Sequence, residues 1–288
     1  MKKILSLHDA PHHHWVGDGF PAKTLFSYQA QGKSISPFLL LDYAGPMAFS
    51  PTTHKRGVGE HPHRGFETVT IVYQGEVAHK DSTGEHGIIG PGDVQWMTAG
   101  QGILHEEFHS ESFARHGGML DMMQLWINLP KRNKMTEPGY QTITAAQIPS
   151  IAIAENRGSL RVIAGEILGV TGPAKTYSPL IVMDSSIKAG GQCDLPIKEG
   201  WTVIVVIRKG QVKVNNQLAS QGQTIILSQE DAGLTLSAIE DSDTFMMAGE
   251  PIDEPIVGHG PFVMNSTSEI KQALLDFQSG KFAQLDHQ

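Results

Sequence analysis

HPHRGFETVTIVYQGEV, residues 61–77, lies over PIKEGWTVIVVIRKGQV, residues 196–212, with Gly65 on Gly200, Phe66 on Trp201, Gly75 on Gly210 and Val77 on Val212. Each copy holds a β-branched run, 67–74 or 201–207, too short for a helix and stopped by a glycine. Further on, GPGDVQWM (90–97) pairs with SQGQTIIL (220–227), Gly92 on Gly222. Strand, glycine turn, strand, second glycine turn and strand is the repeating order of an antiparallel barrel or jelly roll. The sequence therefore predicts an all-β protein of two such barrels in tandem. The boundary falls in the Lys- and Pro-bearing stretch 131–149 and is placed at 138/139, giving halves 1–138 and 139–288. A short helix closes the chain: Ser266 and Glu269 form a capping box ahead of Ile270, Leu274, Leu275 and Phe277, and Gly280 ends it.

The bulk numbers agree with two domains. There are 288 residues, 40% hydrophobic and only 18% charged, with 31 Gly and 16 Pro for turns. A net charge of −8 repels phosphate backbones, so no direct nucleic-acid binding is expected, and the charge is compatible with a monomer. One cysteine, Cys193, permits no intrachain disulfide and no thiolate zinc site, and reads as a small buried or half-buried residue. The start, MKKILSLHDAPHHH, has too short an apolar stretch for a secretory leader, and the longest apolar run, Val203–Ile207, is far below a membrane span. These readings predict a soluble cytoplasmic protein.

Histidine concentrates the chemistry. Twelve of the 14 lie at or before His116. In His61-Pro62-His63, strand alternation puts both imidazoles on one face. In His105-Glu106-Glu107 it does the same for His105 and Glu107 and turns Glu106 away. On neighbouring strands the four would converge as three imidazoles and a carboxylate, a set that suits Fe(II), Mn(II), Co(II), Ni(II) or Cu(II). In the second copy His61 and His63 become Pro196 and Lys198, and counting from the glycine turn His105 and Glu107 become Thr235 and Ser237, so that half holds no site.

Glu67 is a competing fourth ligand, reachable only if the chain turns at Arg64-Gly65. His12, His13 and His14 read as a polar segment near a barrel mouth. His54, His79, His86, His109 and His116 read as solvent-facing or as neighbours of the ligands, with His109 on the face of His105 and Glu107. Met119, Met122, Met123 and Trp126 read as core, and Gly90–Asp93 as a plain turn.

Assembled, these residues resemble the pirin family of the cupin superfamily. The matching segments are PFLLLDY (37–43), HPHRGFETV (61–69), PGDVQWMTAGQGILHEE (91–107), QLWINLP (124–130) and GEPIDEPIVGHGPFVMNSTSEI (249–270), which reach across both halves. The resemblance implies two cupin barrels with one divalent metal in the first, held by His61, His63, His105 and Glu107. It implies iron(II) first, with Mn, Co, Ni, Cu or Zn as alternatives. Many cupins place a glutamate ligand where Glu67 stands, which keeps that residue in play. The family's implied activity is quercetin 2,3-dioxygenation, the opening of a flavonol or related enediol by O2 with release of carbon monoxide. The partners are then a small aromatic or enediol substrate and O2, with Glu107 as the base that takes the substrate hydroxyl proton. The family also implies the alternative of an iron- or redox-sensing cofactor of a regulatory protein.

Overall fold

A computed structural model describes residues 1–9, 13–283 and 285. The first twelve strands are β1 (Ile4–Asp9), β2 (His13–Val16), β3 (Phe20–Ser27), β4 (Phe38–Phe49), β5 (Gly57–His63), β6 (Phe66–Gln74), β7 (Val77–Asp81), β8 (His86–Ile89), β9 (Val94–Thr98), β10 (Ile103–His109), β11 (Gly118–Asn128) and β12 (Gly139–Ile143). The β-branched run of 66–74 becomes β6, and Gly75, with φ near 85°, turns it into β7. Strand signals thus fold as the sequence predicts, into two cupin-type jelly rolls of antiparallel sheets.

The jelly roll of the first copy has a seven-stranded sheet in the order β12-β9-β6-β11-β4-β3-β2 and a four-stranded sheet β5-β10-β7-β8. On β10 the odd-numbered residues from Ile103 to His109 are buried while Glu106 and Phe108 are partly open, so one face carries His105, Glu107 and His109. The second copy repeats the order. Its larger sheet runs β1, Gln223–Leu227, Thr202–Lys209, Ser242–Gly249, Leu180–Ile187, Gly158–Ala164, Ser150–Ala152, and its smaller sheet Gln192–Leu195, Leu234–Ala238, Gln211–Val214, Gln217–Ser220. In this list β1, from the chain start, holds the edge place that β12 holds in the first copy.

Compact units accordingly interleave along the chain. One comprises Met1–Pro11, Leu25–Phe38 and Ala146–Ile252, the other His12–Thr24, Leu39–Ala145 and Asp253–Gln288. The continuous halves 1–138 and 139–288 therefore stand as a proposal about the duplicated sequence and not as compact bodies. The terminal helix spans Thr267–Gln278 and Ser266 caps it: Ser266 Oγ accepts from Glu269 N, while the Glu269 carboxylate reaches past the expected cap amide to Asn265 N and the Ser266 hydroxyl. No helix among the described residues is long and apolar enough to cross a membrane.

Candidate metal centre

Antiparallel pairing of β5 with β10 sets His61 opposite His105 and His63 opposite Ile103, and the register slips before Glu107, which faces Val58. The rings of His61, His63 and His105 stand 4.2–4.9 Å apart by centroid, and each offers a nitrogen within 4.8 Å of the others. The turn after His63 is tightly held. Gly65 adopts φ near 90°, and a Cβ there would collide with the Val263 carbonyl. Lys134 Nζ donates to the carbonyls of Gly65 and Val263. Arg64 pairs with Asp276 of the terminal helix at 2.9 Å, both side chains nearly buried. The helix thus anchors the chain directly after the histidine pair.

Each histidine spends one nitrogen and keeps the other. His61 Nδ1 lies 2.8 Å from the Gly59 carbonyl, an acceptor only, so the ring donates there and leaves Nε2 bare. His63 donates to the Pro261 carbonyl while its Nδ1, fully buried, has no partner. His105 Nδ1 meets His79 Nδ1 at 3.4 Å, and its buried Nε2 has no partner. Burial, then the neighbouring imidazoles, push His63 and His105 well below the ordinary histidine pKa, so both are neutral at pH 7. Two buried, unpaired, uncharged nitrogens beside a third are costly as they stand and fit a metal ion that would take all three lone pairs.

Glu107 meets this group through His105, not through all three rings; its carboxylate clusters with His105 and His79. Three donors hold it: Gln95 Nε2 at 2.8 Å and Thr70 Oγ1 at 3.3 Å on Oε1, and Gln124 Nε2 at 2.8 Å on Oε2. Tyr140 on β12 donates to Gln95 Oε1 at 3.0 Å, which fixes that amide with its nitrogen toward Glu107. The sequence reading passed over Thr70, Gln95, Gln124 and Tyr140. A signal was present for three of them, namely polar residues at inward-facing positions of otherwise apolar strands.

Other candidates separate cleanly. Glu67 lies on the opposite face of β6 from Thr70, bonded to Trp96 Nε1 and Thr98 Oγ1, and belongs to neither group of mutually close metal-capable residues. His109 is buried against Phe20, Phe49 and Phe113 with Nε2 on the Gly19 carbonyl. His54, His86 and His116 are exposed; His79 is buried beside the site. His13 and His14 lie in exposed β2, and His12 lies outside the described residues. Met119 is exposed and not core, whereas Met122 and Met123 are buried. Cys193 is half-buried, its thiol pushed up to about 12 by burial. A cavity of about 40 Å³ touches His61 and Glu107, between Val16, Phe20, Asp42, Val58 and Gln124. A larger one, about 450 Å³, lies over the outward residues Ala78, Lys80, Glu106 and Phe108 and includes none of His61, His63, His105 or Glu107.

Among the described residues the second copy carries no such centre, though its register differs by one residue from the count made along the sequence. Val77 pairs with His109, and Val212 with Ala238, so His105 and Glu107 correspond to Leu234 and Leu236, not to Thr235 and Ser237. Leu234 pairs with Leu195 as His105 pairs with His61, so His61 corresponds to Leu195 and not to Pro196. The loop before Leu234 is one residue shorter than the loop before His105, and the turn after Leu195 is one residue longer than the turn after His61; each one-residue slip exchanges the faces of a strand. Thr70, Gln95 and Gln124 likewise become Val205, Ile225 and Met246, all in one buried apolar cluster.

Known proteins resemble this chain over nearly its whole length. A family model described as Pirin matches residues 19–127, and one described as Pirin C-terminal cupin domain matches residues 182–283. A Pseudomonas aeruginosa protein provisionally named quercetin 2,3-dioxygenase is 54% identical over 98% of this chain and 99% of its own length. Pirin of Homo sapiens is 37% identical over 86% of this chain and 83% of its own. A crystal structure of quercetin 2,3-dioxygenase from Acinetobacter baumannii superposes with a TM-score of 0.95 at 54% identity, covering 98% of both chains.

Proposed function

This chain belongs to the pirin family, and from that premise we propose that it is a metal-dependent dioxygenase of the quercetin 2,3-dioxygenase type. The observation that carries the reading is the convergence of three unpaired imidazole nitrogens beside a carboxylate fixed by amide donors. His61, His63 and His105 would hold one divalent ion, with Glu107 as the fourth ligand or as a base next to it. We assign iron(II), with Mn, Co, Ni, Cu or Zn able to occupy the same nitrogen and oxygen set. Such an ion would supply Lewis-acid activation of the substrate hydroxyl and redox chemistry toward O2.

The chain's own residues do the rest. His61, partly open, borders the small cavity and marks the side from which substrate approaches. Glu107 takes the hydroxyl proton of the flavonol or enediol. Gln95 and Gln124 keep the carboxylate aimed at that proton, and Thr70 adds a donor to the same oxygen as Gln95. Val16, Phe20 and Val58 keep bulk water from the reacting atoms.

The cavity supports a second reading as well. Its roughly 40 Å³ holds O2 or a water but is far below the 300 Å³ or more of a typical drug-sized ligand pocket. A metal- or redox-sensing module that engages a regulatory protein needs no such room. Turnover separates the two: O2-dependent loss of quercetin by the metal-loaded chain supports the enzyme. Absence of turnover, with partner capture that follows the oxidation state of iron, supports the sensor.

A further inference from the structure

We propose that Asp81 and His79 are positioning residues that fix the tautomer of His105, leaving its Nε2 as the bare nitrogen that faces the metal. This rests on the reading of His61, His63 and His105 as a metal site.

The geometry runs through three buried side chains. Asp81 Oδ2 lies 2.9 Å from His79 Nε2, and both side chains are fully shielded from solvent. A carboxylate only accepts, so His79 carries a proton on Nε2, and in the neutral ring that the proposal assigns to it Nδ1 is a lone pair. That lone pair faces His105 Nδ1 at 3.4 Å, so His105 donates from Nδ1 and its Nε2 is bare. Nε2 is the very atom that has no partner among the described residues. His79 has both nitrogens engaged, which is why it serves the group it joins with His105 and Glu107 as support and not as a ligand. Tyr140 stacks on the His79 ring at 4.6 Å and 15°, which locks its orientation.

The other end of the relay is anchored by backbone. Asp81 Oδ1 accepts from Thr83 N at 2.8 Å and from Thr83 Oγ1 at 2.6 Å. A backbone N–H cannot accept, so an oxygen must stay at that position in any near-isostere. In Asp81→Asn the amide NH2 is therefore forced toward His79 Nε2. His79 must then accept at Nε2 and donate from Nδ1, His105 must accept at Nδ1, and its proton moves to Nε2. One atom changed at Asp81 thus blocks a nitrogen two residues away along the relay, with hardly any change of volume. His79→Phe instead cuts the relay and leaves His105 free to choose either tautomer.

The relay yields a specific order of metal affinities. Supporting partners of metal-bound histidines are worth about 10–100-fold in affinity. With cobalt(II) as the probe, in chelator competition on the full-length chain, His79→Phe is expected to weaken binding about tenfold. Asp81→Asn is expected to weaken it about a hundredfold. The double variant should return to the His79→Phe level, because the inverted tautomer reaches His105 only through His79. A purely structural role for Asp81 would make the double variant the weakest binder, and that order overturns the proposal. A second measurement needs no variant: long-range 1H–15N correlation of the metal-free protein should show His105 protonated at Nδ1, and an Nε2-protonated His105 overturns the relay. Failure of the wild-type chain to bind cobalt(II) would sink the metal-site reading itself, while the tautomer spectrum would still decide the relay.

Discussion

Gln124 donates from Nε2 to Oε2 of Glu107 over 2.8 Å, and in the second copy the same two places are held by Met246 and Leu236, both wholly buried. The polar lining of one jelly roll and the apolar lining of the other are alternative fillings of one backbone frame. Gln124→Met therefore removes a donor from a carboxylate without opening a void. It should cost about 1.5–3 kcal/mol of stability, the range for a hydrogen bond to a charged group. Turnover should fall about tenfold or more, equivalent to about 1.4 kcal/mol in the barrier. Denaturant titration together with quercetin assay checks both; unchanged turnover would mean that Glu107 needs no such aim.

Glu107→Gln keeps the shape and removes the carboxylate proposed as the base. The three histidines remain, so the variant is expected to retain part of its metal while losing most turnover. Metal analysis and steady-state rate on the same sample give the comparison. Normal turnover would remove Glu107 from the role of base.

Metal should stabilise the fold through the same residues. A ligand at 100 times its Kd adds about 2.7 kcal/mol to a folded state that alone binds it. The wild-type chain is expected to melt several degrees higher with cobalt(II) than with chelator, and His61→Ala should lose most of that difference. An equal shift in His61→Ala would place the ion elsewhere.

Glu67 predicts a pH dependence separate from the metal. Burial outweighs the Trp96 and Thr98 donors and raises its carboxyl from 4.5 to about 7. A raised folded-state pKa means that the folded protein holds the proton more tightly than the unfolded chain. Its contribution is fully favourable below about 4.5 and is lost as pH rises through about 7. Glu67→Gln should remove this loss, worth about 3 kcal/mol at most. Unfolding free energies at pH 5 and pH 8 test it: the wild type should drop more than the variant, and parallel behaviour would contradict the assignment.

Much of this was legible in the sequence because it depends on local alternation. Two-residue spacing alone puts His61 with His63 and His105 with Glu107, and the glycine-stopped runs gave the strands and the duplication. What stayed hidden depends on partners distant along the chain. Tyr140 lies beyond the boundary drawn at 138/139, yet its hydroxyl orients Gln95, because β12 closes the sheet of the first copy. The exchange of edge strands, with β1 serving the other unit, has no mark in either strand's residues. The counterparts of His105 and Glu107 were misplaced by one residue because a shortened loop cannot be seen by counting from a glycine. His79 could be read only as solvent-facing or as a neighbour of the ligands. The i, i+2 spacing of His79 and Asp81 on β7 does put them on one face, but only the pairing of β7 with β10 brings that face to His105.

The most direct test of the central claim is metal analysis of the protein purified without a metal-affinity tag, with O2-dependent quercetin turnover measured on the same sample and on His61→Ala. The account predicts close to one metal ion per chain and ring opening that requires O2, both lost in the variant. A wild-type chain that binds no metal would contradict it.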